Sequence, residues 1–155
     1  MLVLHSHGCR DVWLADTNAG RREMVEAAGI DAVYDPSRDP GPGPGSMDVV
    51  IDAVGAKATR SGAIEVARPG AVIVHVGLLD GVDGVDVRRL TLQEIALVGC
   101  YTYTMVDFRA AVDALQAGAL GALDWYEERG LADGIAAFDD LMNGRCAAAK
   151  VILRP

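Results

Sequence analysis

The sequence predicts an α/β protein in which parallel strands are joined by crossover helices. Short apolar runs of strand length recur along the chain, each stopping at an acidic residue or a glycine. Segments rich in helix formers lie between them. Strands without a polar face belong to parallel sheets covered by helices, whereas half-solvated antiparallel strands alternate polar with apolar.

Residues 10–16 alternate and then run apolar up to Asp16, which reads as a buried strand. Thr17 or Asn18 can cap a helix over 19–28, with Gly29 as its stop. Residues 32–34 form a second short strand ending at Asp35-Pro36, and the prolines and glycines of 36–45 dictate an exposed loop. A third strand covers 48–52. A helix over 57–67 follows, and Pro69-Gly70 breaks it. The strongest strand signal, 71–76, ends at Gly77. Residues 80–86 are a Gly- and Asp-rich loop, and 94–99 make another strand.

After Tyr103 the texture changes to a helix–strand–helix–strand extension over 104–155. Thr104 and Asp107 form a capping-box-like start, and Phe108, Ala111, Val112 and Leu115 share one helical face before Gly118. Leu131, Ile135, Phe138 and Met142 make a second stripe, stopped by Gly144, and residues 150–153 are a terminal strand. Both stripes are expected to be core. Met1-Leu-Val-Leu-His5 is compatible with either strand or helix.

A formal charge of −8 over 155 residues argues against nucleic acid or an anionic membrane as partner. Arg21–Arg22 and Arg88–Arg89 are small basic islands, readable as solvated helix ends or as phosphate contacts. No apolar run approaches the roughly 18 residues that span a bilayer, and the start lacks a basic leader, so a cytoplasmic protein is expected. Cys9, Cys100 and Cys146 are scattered, which fits a reducing compartment and gives neither disulfide framework nor zinc cluster. Positive mean hydropathy suggests apolar faces covered by a partner subunit or a further domain.

Asp16 ends the first predicted strand, where a nucleotide-binding sheet places a carboxylate for the ribose hydroxyls, and Arg21 follows in the next helix. The same residues also read as a strand-end turn and a surface charge. A carboxylate there repels a 2′-phosphate, so such a site prefers NAD to NADP. Asp52-Ala-Val-Gly55 and His75-Val-Gly77-Leu78 bring glycine to two further strand ends, where backbone can approach a ligand or simply turn.

Several stretches, taken in order, resemble the medium-chain zinc alcohol and polyol dehydrogenases over nearly the whole chain. They are Val12-Trp-Leu-Ala-Asp-Thr-Asn18, Gly29-Ile-Asp-Ala-Val-Tyr-Asp-Pro36, Asp48-Val-Val-Ile-Asp-Ala-Val-Gly55, Arg68-Pro-Gly70, Val76-Gly-Leu78, Leu97-Val-Gly-Cys-Tyr-Thr-Tyr-Thr104, Asp107-Phe108 and Lys150-Val-Ile-Leu-Arg-Pro155. The resemblance implies an incomplete Rossmann-like sheet over 1–103. It also implies that 104–155 is an extension which in the family packs on the catalytic domain. On that resemblance Asp16 and Arg21 hold the adenosine ribose. Ala53, Val54 and Gly55, with Val76, Gly77 and Leu78, line the trough toward the nicotinamide, and Gly99 to Tyr101 approach its carboxamide.

The family's zinc motifs and its glycine-rich pyrophosphate turn have no counterpart in these residues. His5, His7 and His75 match no family ligand position, although His5 and His7 share one parity on an extended segment. The expectation is a truncated relative that retains part of an NAD(H) trough, binds the cofactor weakly and is not catalytic alone. The parent chemistry is hydride transfer between an alcohol and NAD. A second reading is a non-catalytic dimerisation module, as a homo-oligomer or within a parent subunit. A third is a small cofactor-free enzyme using His75, Tyr101, Tyr103 and Asp52.

Overall fold

The computed structural model describes residues 1–30, 32–123 and 125–155. Asp31, inside one of the resembling motifs, lies outside them. The chain divides into two compact units: Met1–Gly41 with Val106–Pro155, and Pro42–Met105. Every strand pairing described is parallel, as expected.

In the first unit the chain begins as a helix, α1 (Leu2–Ser6), held by bonds such as His5 N–H to the Met1 carbonyl. A helix satisfies its own backbone locally, whereas a strand needs a neighbour. This overturns the shared parity of His5 and His7, because residues two apart on a helix do not face one way. His7 instead turns its Nδ1 to the Val3 carbonyl at 2.9 Å.

The strand expected over 10–16 shortens to β1 (Leu14–Ala15), which pairs with β2 (Val33–Tyr34). Between them α2 (Ala19–Ala27) is capped by Asn18, whose side chain accepts from Arg21 N–H. Gly29 closes it at φ +84°, a left-handed conformation that glycine adopts without a Cβ penalty. Trp13 and Tyr34 pack edge to face, their ring centroids 6.1 Å apart.

The second unit contains a three-stranded sheet in the order β3 (Met47–Asp52), β4 (Ala67–His75), β5 (Ala96–Gly99). Helix α3 (Lys57–Val66) crosses over between β3 and β4. Ala63 and Ile64 of α3, Ala67, Ala71 and Ile73 of β4, and Ile95 form its buried core, with Val50, Val85 and Leu90 packed against it. Burying one such isoleucine contributes about 2–3 kcal/mol. Pro69-Gly70 does not separate helix from strand as expected. The strand starts at Ala67 and absorbs the pair where its register against β3 shifts. Gly70, at φ +77°, donates to the Gln93 carbonyl there. The helix α4 (Val87–Leu92), capped by Asp86, was not anticipated.

The extension consists of α5 (Met105–Gln116), β6 (Tyr126–Gly130), α6 (Gly134–Met142) and β7 (Lys150–Arg154), with β6 and β7 paired. The helix–strand–helix–strand order is as expected. The burial is not: Leu131, Ile135, Phe138 and Met142 are all exposed, Ile135 at 87%, and Phe108 and Leu115 are also exposed. Helical spacing places a stripe on one face, but it is packing against other elements that buries it, and spacing alone does not supply that.

Candidate nucleotide-facing site

Asp16 follows β1 directly, at the carboxyl end of the strand. Its Oδ1 accepts the Asn18 N–H at 2.8 Å, an Asx turn that leads into α2. Its Oδ2 lies 3.7 Å from Arg21 Nη1, and the Arg21 side chain is more than a third exposed. One carboxylate oxygen therefore shapes the turn while the other retains accepting capacity. The turn reading of Asp16 is thus met in its Oδ1.

Beneath Asp16 lies an ion network. The Arg22 guanidinium donates to the Asp16 carbonyl at 2.8 Å and stands 3.5 Å from Asp35, which is buried at the end of β2. Asp35 in turn accepts from the Ser37 N–H and hydroxyl. These bonds, with Arg22 and Arg38 nearby, outweigh burial and hold its carboxyl below the usual carboxylate value. Of the two basic residues at 21–22, both partly exposed, Arg22 is thus the less exposed, its side chain at 20% against 39% for Arg21.

In the second unit the two glycine-bearing strand ends meet. Register pairs Asp52 with His75. The Asp52 carbonyl accepts from Val76 N–H at 2.9 Å and Gly77 N–H at 3.0 Å. Its Oδ1 accepts from Val54 and Gly55 N–H, at 3.1 and 2.9 Å. Its Oδ2 is 3.1 Å from His75 Nδ1. Burial works to raise the Asp52 carboxyl, yet the bonds from Gly55, Thr59 and Val54 and the His75 ring together carry it below its ordinary value.

Gly55 and Gly77 were expected to admit a ligand or to make turns; here each admits the other's loop. Val54, Val76 and Leu78 remain exposed beside them, Leu78 at 77%. Arg60 secures the arrangement. From α3 its buried guanidinium donates to the carbonyls of Gly55 and Asp83, at 2.7 and 2.6 Å, and to Asp80 Oδ1 at 2.5 Å. Asp80 Oδ2 also accepts Lys57 N–H.

Sequence reasoning singled out Asp52 and His75 but did not join them. The signal was present, since each stands just before a strand-end glycine, three residues before Gly55 and two before Gly77. Arg60 and Asp80 carried no such signal. Tyr101 and Tyr103 are exposed. Among the described residues no group of three or more His, Cys, Asp or Glu is placed to hold a metal ion.

Solved structures share this fold. L-idonate 5-dehydrogenase from Escherichia coli superposes with a TM-score of 0.84 at 24% identity, over 98% of this chain and 45% of that one. Acetophenone reductase from Geotrichum candidum, in complex with NAD, gives 0.86 at 20% identity, over 99% and 44%. A zinc-binding dehydrogenase structure from Sinorhizobium meliloti, bound to NADP, gives 0.81 at 26% identity, over 99% and 48%. The chain is thus a Rossmann-like α/β protein of dehydrogenase type. Residues 1–117 match the family described as zinc-binding dehydrogenase, and the chain belongs to that family.

Among curated relatives, a probable D-xylulose reductase A of Aspergillus clavatus is 25% identical over 79% of this chain and 37% of its own length. A probable diacetyl reductase of Saccharomyces cerevisiae is 26% identical over 100% and 41%. The chain spans less than half the length of these relatives.

Proposed function

We propose that these residues form the NAD(H)-facing part of a zinc-type dehydrogenase and, taken by themselves, bind the cofactor weakly and do not turn over an alcohol. The observation that carries this is Asp16, a carboxylate at the end of a parallel strand with one oxygen left to accept, in a chain of this family. In the first unit Asp16 accepts the ribose hydroxyl protons, and Arg21 lies against the adenosine. In the second unit Ala53, Val54 and Gly55, and Val76, Gly77 and Leu78, offer apolar surface and backbone toward the nicotinamide. A bound NAD supplies a hydride acceptor. What these residues do is bind it, orient it and disfavour a 2′-phosphate.

The weak binding follows from the chemistry of the pyrophosphate. Its charge is normally met by a glycine-rich turn and a helix N-terminus, and these residues encode no such turn. Titration with NADH, followed by its fluorescence, tests the reading. Saturable binding at about a millimolar, equivalent to about −4 kcal/mol, and weaker binding of NADPH are expected. No binding at all would remove the nucleotide assignment. Micromolar binding, or NAD-dependent oxidation of a polyol by this chain, would remove the vestigial part of it.

The exposed apolar stripe Leu131, Ile135, Phe138 and Met142 favours a companion reading, in which the chain works as a homo-oligomer or as part of a larger subunit. A cytoplasmic setting belongs to the same proposal and rests on three free, scattered cysteines. Among the described residues no helix is long and apolar enough to cross a membrane. The net charge of −8 argues against nucleic acid.

A further inference from the structure

Two loops that the proposed function turns toward the nicotinamide hang from one residue. Asp52 receives the N–H groups of Val54 and Gly55 on Oδ1, and those of Val76 and Gly77 on its main-chain oxygen. The main-chain oxygen is fixed by the sheet, because Asp52 pairs with His75 in register. The carboxylate is not fixed by the sheet. Rotation about its terminal bond would withdraw Oδ1 from the first loop, and such sp³–sp² torsions are broad and soft.

Oδ2 faces His75 Nδ1 at 3.1 Å, with the aspartate side chain 2% and the imidazole 24% exposed. An ionised carboxylate only accepts, so Nδ1 carries the proton and donates. That bond holds one carboxylate oxygen and thereby aims the other. The loops are also interlocked: a Cβ on Gly77 would stand 2.1 Å from Val54 C and 2.4 Å from Gly55 N. Displacement of the first loop therefore disturbs the second.

We infer that His75 is a positioning residue for the cofactor's nicotinamide half, acting through Asp52 on the loops 53–55 and 76–78. This deepens the proposed function and rests on it. His75 makes no contact with the ligand in this scheme. It sets the orientation of the carboxylate, the carboxylate sets the amides of Val54 and Gly55, and those set the surface the ring meets. The first unit, with Asp16, holds none of these residues, so adenosine recognition should be indifferent to His75.

The test compares His75→Leu, His75→Gln and His75→Asn in the full chain, titrated with NADH and with ADP-ribose, which lacks the nicotinamide. Asparagine places its amide N–H where Nδ1 stood. Glutamine places its own where Nε2 stood, and leucine has none. NADH affinity should fall about fivefold in the Leu and Gln variants and return to within about twofold of the parent in the Asn variant. ADP-ribose affinity should stay within about twofold throughout. The glutamine variant decides the matter if leucine does not fold.

Equal NADH affinity in all four proteins overturns the inference. So does an Asn variant as weak as Gln, or parallel loss of NADH and ADP-ribose, which would mark a general structural role. If the parent binds neither ligand, the proposed function falls, and amide hydrogen exchange still decides the positioning claim. Faster exchange at Val54 and Gly55 in the Gln variant but not in the Asn variant supports it. Unchanged exchange in the Gln variant overturns it.

Discussion

Gly55 and Gly77 occupy each other's side-chain space: a Cβ on Gly55 would stand 2.0 Å from the Gly77 carbonyl oxygen. No flexible side chain is available to yield, since the clashing atoms are backbone. Gly55 also sits at φ +74°, which by itself costs an L-residue about 1–2 kcal/mol. Gly55→Ala and Gly77→Ala should each lower stability by about 2–4 kcal/mol, read as a shift in the urea midpoint. Gly62→Ala, inside α3 with nothing within 4 Å of its added Cβ, should stabilise by up to about 1 kcal/mol. A Gly77→Ala protein with the parent's midpoint would contradict the interlocked loops.

Nucleotide preference should follow the charge at residue 16. Asp16→Asn keeps an oxygen for the Asn18 N–H and removes the negative charge that a 2′-phosphate would meet. The NADPH-to-NADH affinity ratio should rise about tenfold, equivalent to about 1.4 kcal/mol. Titration of both nucleotides against parent and variant measures it, and an unchanged ratio would exclude Asp16 from ribose recognition.

Acid should act on Asp52. Its folded carboxyl lies below the ordinary 3.8, so its contribution to stability is fully present above that value. The contribution is lost as pH falls through the lowered folded value. Asp52→Asn should therefore be less stable than the parent at neutral pH, and the gap should narrow below about pH 4. Melting temperatures recorded from pH 2 to 7 for both proteins check the sign. A gap that widens in acid would be wrong for a depressed carboxyl.

Arg60 should resist conservative replacement. Lysine supplies one charge but not the fork that reaches Gly55, Asp83 and Asp80 together. Arg60→Lys should cost about 1–2 kcal/mol and Arg60→Ala about 2–4 kcal/mol in equilibrium unfolding.

Two isoleucines separate pattern from packing. Ile73 is 1% exposed in the core, and Ile135 lies on the exposed stripe. Ile73→Ala should cost about 2–5 kcal/mol, while Ile135→Ala should stay within about 0.5 kcal/mol if the chain is monomeric. A clear, concentration-dependent loss at Ile135 would instead reveal that the stripe is covered by another copy.

Local rules were enough to read most elements from the residues. Asn18 and Gly29 bracket α2 because a cap and a left-handed stop are local requirements. The parallel strands are visible as apolar runs of strand length, although the burial on both faces expected of such runs is not met, since Val49 and Ile51 of β3 and Leu97 and Val98 of β5 are exposed. Pro69-Gly70 misled, since the same pair that ends a helix can be absorbed as an irregularity within a strand. In the candidate site Asp16 was legible from its strand-end position. The partnership of Asp52 with His75 was not, because it depends on a register that brings residues 23 apart in sequence side by side.

Taken by itself, the chain of residues determined the class of fold, the order of most helices and strands (α1 and α4 apart), and the carboxylate and glycines at the strand ends. These are matters of periodicity, capping and backbone freedom, each settled within a few neighbours. Only tertiary structure decided that the two glycine loops fill each other's side-chain space, which oxygen of Asp52 serves which loop, and that Leu131, Ile135, Phe138 and Met142 stay exposed. Those outcomes depend on atoms distant in sequence occupying the same few ångströms, and no local preference specifies where such atoms meet.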